Sequence, residues 1–461
     1  MSFISSLSRM KHALSGTSFP EFPSLFGQSF PFPTDFSAGR RSRIYNVFQT
    51  FWLFVYQILS PQSSCRDAVF MAVASLAANG EKALSPHNAS YCRARAKLPL
   101  KGLREILSAL VGRSQEEIGA HRLWHGRSVT IVDGTTCSMP DTGKNQKAFP
   151  QPETQKPGCG FPMARIVVLF SLATGMVLEW ALGQYTDSER FLFRGLSGSL
   201  KKGDVLLGDR GFGGFIDLYF LIRQGVDFVV RVSDKNRKRI RVLKKTAKKD
   251  RLIQWLKPLV RPGWMDRETW EKVPDFITLR EISYVVKKPG FRTRSVAIVT
   301  SLLDEKNFPA AAFEELYLRR WTAELYLRDI KTTLGMDRLS CKTPEMVEKE
   351  IAMHLIANNL IRLMINRASR KHKISQERIS FKGSAALFIQ ICIQGTRLKR
   401  RRAVKALLIE FYRLIARLAN PARPGRREPR AIKTRPKRYQ LLTNLRSQFQ
   451  EDPHRGKRPC S

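Results

Sequence analysis

The residue pattern predicts an α/β protein: a mixed β-sheet flanked by helices. Three observations carry that prediction. From Arg127 to Val232, strand-like apolar runs come first and then alternate with helical periods. Helical patterning flanks this region on both sides, at 43–113 and from Pro309 onward. The chain is long enough, at 461 residues and 43% hydrophobic, to bury a sizeable core and to divide into two or three units.

Residues 1–40 are rich in Ser, Phe and Pro and read as an irregular arm. A helical unit over 41–120 follows, with helices at 43–59 and 65–78. A third helix opens at Ser85-Pro86, Ser as cap and Pro at the first helical position, and a fourth follows Pro99. The third exposes Arg93, Arg95 and Lys97, a basic face suited to a duplex groove. Strand-like runs at 128–133, 165–172, 176–183, 204–208 and 226–232 define a first sheet segment, 121–232. The first three are read as antiparallel neighbours; the last two need helical crossovers, at 187–200 and 214–224.

An insertion at 233–305 carries ten Lys/Arg and one Asp between Lys235 and Arg251, then Trp255, Trp264 and Trp270, then strand-like runs at 276–286 and 294–300. It reads as β-rich with a basic, aromatic-bearing surface. The second half of the core, 306–370, holds a helix from Pro309 to Gly335 and another opening at Thr343-Pro344-Glu345. The remaining 371–461 are basic, helical at first and then extended, with Pro421, Pro424, Pro429 and Pro436 interrupting the end.

Charge narrows the function. Against 80 Lys+Arg stand 39 Asp+Glu, a formal net charge of +41. A compact chain with that surplus repels itself unless a polyanion neutralises it, and nucleic acid is the expected partner. Seven scattered cysteines without a C-x-x-C argue against a disulfide framework and against a zinc ribbon. The densest apolar stretch, Val47 to Leu59, is interrupted by Gln49, Thr50 and Gln57 and is too short to span a bilayer. No secretory leader is apparent, so a cytoplasmic, nucleoid-associated protein is expected.

Two aspartates follow strand-like runs: Asp133, succeeded by Gly134-Thr135-Thr136 read as a turn, and Asp209, succeeded by Arg210-Gly211-Phe212. Downstream, Tyr317, Arg320, Glu324 and Lys331 fall within an arc of about 60° on one helix. One carboxylate, two cations and a phenol on a shared face can hold a metal ion and grip phosphates. Two divalent cations about 3.5–4 Å apart, bridged by carboxylates on rigid supports, catalyse displacement at phosphorus. Mg²⁺ suits an all-oxygen site of this kind.

Tyr317-x2-Arg320-x3-Glu324-x6-Lys331 resembles the YREK signature of DDE-type insertion-sequence transposases, insertion-sequence family four. Asp133-Gly134-Thr135 and Gly208-Asp209-Arg210-Gly211-Phe212 resemble that family's two aspartate segments, and Arg427-Glu-Pro-Arg430 with Arg435-Pro-Lys437 a basic motif near its end. The resemblance covers roughly 43–446. It implies a ribonuclease H-like core and cut-and-paste transposition through a hairpin on the element end. Asp133, Asp209 and Glu324 would be catalytic and bind two Mg²⁺, with Mn²⁺ as a substitute. Tyr317, Arg320 and Lys331 would hold end phosphates, and Trp321 would pack near a displaced base. Trp255 or Trp264 would stack a flipped base, the sequence not choosing between them, and Arg210 and Arg231 are further DNA contacts. Terminal inverted repeats and target DNA would be the partners of a homodimer, without a membrane. Two other readings remain at this stage: a catalytically inactive, transposase-derived repressor, and a basic structural or RNA-binding protein without an active site.

Overall fold

A computed structural model describes residues 32–33, 45–60, 64–78, 80, 85–232, 237–247, 249–285, 295–395, 401–421, 444–445 and 448. Most of the N-terminal arm, the start of the basic run after Lys235 and the C-terminal arm with its Arg427–Lys437 motif lie outside the described residues.

Among the described residues four helices come first: α1 (Val47–Leu59), α2 (Cys65–Ala78), α3 (Ala89–Ala96) and α4 (Leu100–Glu116). Asn46 caps α1 in a reciprocal box with Gln49, its side chain accepting from the Gln49 N–H at 2.8 Å. The third helix starts later than Ser85-Pro86 predicts, because Ser85 Oγ accepts from the His87 N–H and caps a turn instead. Arg95 on α3 is buried, not exposed: its guanidinium donates to Gln57 Oε1 at 2.6 Å and lies 4.2 Å from the centre of the Phe54 ring. Arg93 and Lys97 remain on the surface.

The sheet then builds from β1 (Val129–Ser138), β2 (Met163–Ser171), β3 (Val177–Gln184), β4 (Val205–Gly208) and β5 (Asp227–Arg231). Helix α5 (Gly143–Ala148) lies in the long β1–β2 connection. Crossover helices α6 (Glu189–Ser197) and α7 (Phe215–Gln224) lead into β4 and β5. β1, β2 and β3 are antiparallel neighbours, while β4 and β5 run parallel to β1. The resulting order, β3-β2-β1-β4-β5, is the ribonuclease H-like arrangement.

The insertion forms no sheet of its own. β6 (Ile240–Ala247), β7 (Asp250–Leu256), the short α8 (Arg267–Glu271), β8 (Phe276–Val285) and β9 (Ser295–Thr300) follow in sequence. β9 pairs antiparallel with β5, so one sheet of nine strands continues in the order β9-β8-β7-β6. After it come α9 (Ala310–Leu318), α10 (Thr322–Arg328), α11 (Pro344–His372), α12 (Phe381–Gly395) and α13 (Arg401–Arg417).

Period-two alternation sends successive strand residues to opposite faces. Ile131, Phe170 and Leu207 join one core with α11, α10 and the N-terminal helices; Val132, Leu169 and Leu206 join another under α6 and α7. The N-terminal helices therefore share a core with the sheet, Phe51 and Leu103 packing in the same cluster as Ile356. Helix α11 is pinned to β3 by Asn359, whose side chain bonds both the N–H and the carbonyl of Val177 at 2.8 Å. Among the described residues, no helix is long and apolar enough to cross a membrane.

Candidate active site

Pairing places the two aspartates. β1 and β4 run parallel with Ile131 opposite Leu207. Two residues further on, Asp133 points to the α11 side of the sheet, and Asp209 follows just past the end of β4, close enough for its charge to act on Asp133. β4 ends at Gly208, so β1 loses its neighbour there and the strand ends open a crevice, the usual ligand position in such sheets. Each acid is held by its own chain: Asp133 Oδ1 accepts from the Gly134 N–H at 2.9 Å, and Asp209 Oδ1 from the Gly211 N–H at 2.7 Å.

Gly134-Thr135-Thr136 is not the expected turn. It continues β1, paired with Val167, Ile166 and Arg165 of β2.

The signature residues lie on a helical run whose pitch changes. Helix α9 ends at Leu318, Arg319–Trp321 form a tight 3₁₀ turn, and after α10 the residues Asp329–Thr333 widen into a π turn. Gly335, at φ 84, stops the run. A straight helix would carry the four side chains as one stripe; here the pitch changes twice between Tyr317 and Lys331.

Tyr317 and Arg320 are buried, and Glu324 projects into solvent with its side chain 51% exposed. Burial pushes the Tyr317 phenol up to about 12, Arg320 opposing the shift and the Asp209 carboxylate adding to it. Arg231, at the end of β5, also acts on Tyr317, so it belongs to the same neighbourhood. Lys331 lies further along β1, where its ammonium opposes the burial that raises the Cys137 thiol to about 12.

Asp133 is raised to about 6, first by burial, with the Gly134 N–H and Arg320 opposing and the Asp209 and Glu324 carboxylates adding to the shift. Asp209 and Glu324 thus both lie within electrostatic reach of Asp133. The three acids do not close into a finished cage: among the described residues, no three His, Cys, Asp or Glu groups converge as a metal site. Glu324 instead pairs with Arg320, Oε1 accepting from Nη2 at 3.4 Å. Arg320 Nε is buried without a hydrogen-bond partner among the described residues, a donor left over for an incoming oxygen.

Burial separates the two candidate tryptophans. Trp255, on β7, is 1% exposed and packs in the core near Phe215, so it offers no face to a base. Trp264 is 47% exposed at a cavity of about 340 Å³ lined also by Ser188, Arg190, Arg194 and Arg239, with the Arg194 guanidinium 3.7 Å from its ring centre. Trp321 is 40% exposed with Arg320 5.0 Å from its ring centre, and Arg210 is exposed on the Asp209 loop.

One acid escapes sequence reading altogether. Glu189 begins α6, and a Cβ added to Gly134 would lie 2.2 Å from its Oε1. No local motif announces a contact made across 55 residues of chain.

The family description of the transposase DDE domain matches residues 124–360. The chain is 25% identical over 354 residues to "Transposase InsG for insertion sequence element IS4" of Escherichia coli (strain K12), an alignment covering 75% of this chain and 76% of that relative. A cryo-EM structure of the piggyBac transposase synaptic complex with hairpin DNA aligns over 85% of this chain and 81% of its own, at 11% identity and a TM-score of 0.44. The family match takes in more than half of the chain, with Asp133, Asp209 and Glu324 all inside it, and the chain belongs to the transposase DDE domain family.

Proposed function

We propose that this protein cuts an insertion element at its terminal inverted repeats and joins the freed ends to target DNA. The observation that carries the reading is the adjoining placement of Asp133 and Asp209 at the crevice, faced by Tyr317, Arg320 and Glu324. The relative's printed name, a transposase for an insertion sequence element, points the same way.

The residues suit a divalent cation. The donors at the crevice are carboxylate oxygens, and Asp133 is buried beside two further acids without enough positive charge to hold it at its ordinary value. Asp133, Asp209 and Glu324 would hold Mg²⁺, or Mn²⁺ in its place, which when bound supplies activation of an attacking oxygen and stabilisation of the leaving one.

The chain's own residues do the rest. Arg320 exchanges Glu324 for a strand phosphate, its buried Nε gaining a partner; Tyr317 and Arg231 orient the same strand; Lys331 takes a phosphate further along β1. Trp264 receives a base turned out of a bent end, and Trp321 packs beside it. Arg210 reaches the backbone from the Asp209 loop. Two copies of the chain would pair the two ends.

The test uses DNA from either side of the reading frame, where this function requires terminal inverted repeats. Glu324→Gln keeps end binding and loses strand cutting in Mg²⁺. Undiminished cutting by that purified variant contradicts the reading.

A further inference from the structure

We propose that Glu189 is a fourth carboxylate of the metal site, a ligand that reaches it from the face of the sheet opposite Glu324. The inference rests on the metal-dependent reading above and extends it to a residue outside the three acids.

Two glycines carry the argument. A Cβ at residue 134 would meet Glu189 Oε1 at 2.2 Å and its carboxyl carbon at 2.4 Å, so the carboxylate occupies the space a side chain would fill. A Cβ at residue 211 would lie 3.8 Å from Glu189 Oε2 and 2.9 Å from Asp209 Oδ1. The two oxygens of Glu189 therefore span from the residue after Asp133 to the loop of Asp209. Residue 134 points away from the Asp133 side chain, toward the α6 face, because neighbours on a strand alternate. Without a side chain there, the Glu189 carboxylate lies against the β1 backbone at Gly134, whose N–H bonds Asp133 Oδ1 at 2.9 Å.

What surrounds Glu189 leaves its charge poorly matched. Among the described residues its one ion pair is with Arg165 Nη1 at 3.7 Å, while Arg165 gives Nε and Nη2 to the Tyr185 carbonyl at 3.2 and 2.9 Å. No hydrogen bond to the Glu189 carboxylate occurs among the described residues. A glutamate at the first turn of a helix gains from the helix dipole wherever it points. That gain does not require it to lie over Gly134, beside Asp209. With a single long ion pair and 35% of its side chain exposed, the Glu189 carboxylate keeps oxygen lone pairs that a cation can take.

The experiment is a Mn²⁺ titration of the full-length protein followed by electron paramagnetic resonance, without DNA. Glu189→Gln, which keeps the shape and removes the charge, should weaken Mn²⁺ binding about tenfold or more, with Glu189→Asp falling between it and wild type. A Glu189→Gln isotherm that superimposes on wild type overturns the proposal while leaving the three-acid site standing. If Asp133→Asn likewise leaves the wild-type isotherm unchanged, the metal-site reading itself falls, and this one with it. Should Glu189→Gln fail to fold, wild-type protein charged with Fe²⁺, ascorbate and peroxide gives a second readout, since the backbone is cut beside the bound ion. Scission near 133, 209 and 189 is expected; scission near 133 and 209 without 189 overturns the proposal.

Discussion

Asp133 holds its proton more tightly in the folded protein than in the unfolded chain, where an aspartate titrates near its ordinary value. The native state therefore binds extra protons between pH ~4 and about 6, and the stability of metal-free protein falls as pH rises through that window. Asp133→Asn in chelator should be more stable than wild type by on the order of 2 kcal/mol at pH 7, and no more stable below pH ~4, as denaturant midpoints at the two values will register. Divalent-metal binding, which needs the ionised carboxylate, should weaken as pH falls below about 6. The tryptophans give a second contrast. Trp255→Ala should cost about 3–5 kcal/mol because it empties a packed core, whereas Trp264→Ala should cost less than about 1 kcal/mol and reduce hairpin formation on a nicked element end. Both aspartates were legible in the sequence, since an acid that ends an apolar run stands out. The choice between Trp255 and Trp264 was not, because burial depends on how β7 packs against α7. Arg95 misled for the same reason: helical position alone gave it a solvent face, and the partner that buries it, Gln57, lies on another helix.

At the scale of elements, the run from α9 through the π turn depends on α11. Arg362 donates to Asp329 Oδ2 at 2.7 Å, and its guanidinium lies 4.5 Å from the centre of the Tyr326 ring. Burial raises Asp329, with Arg362 the main opposing influence. Arg362→Met should destabilise the protein by about 3 kcal/mol, since it strands a buried acid next to the segment carrying Lys331. Denaturant unfolding measures the loss, and adding Asp329→Asn should return part of it; strictly additive losses would mean that the pair is not coupled. The strands, crossovers and order of α9 and α10 were legible because apolar period and helix stops are local signals. The 3₁₀ and π turns were not: they answer to tertiary contacts such as this one. Nor was the extension of β1 past Asp133, since polar Gly134, Thr135 and Thr136 become strand only by pairing with β2.

At the scale of the molecule, a chain with a net charge of +41 should bind any duplex tightly in low salt and discriminate element ends only as salt rises. Lys331→Ala should lower end affinity and reduce the salt slope by about one, read from binding isotherms at several ionic strengths; an unchanged slope would assign Lys331 another role. The one continuous sheet was not foreseeable, because nothing in the insertion's sequence says that β9 will pair with β5. That pairing joins the basic strand β6, through β7 and β8, to the same sheet as Asp133 on β1. The central claim is that Asp133, Asp209 and Glu324 meet around metal when an element end is bound. Anomalous diffraction from the protein crystallised with an end duplex and Mn²⁺ tests it most directly. Manganese peaks are expected against Asp133 and Asp209, with the Glu324 carboxylate turned from Arg320 onto the metal. Manganese bound elsewhere, or Glu324 still paired with Arg320 while the end is in place, would contradict it.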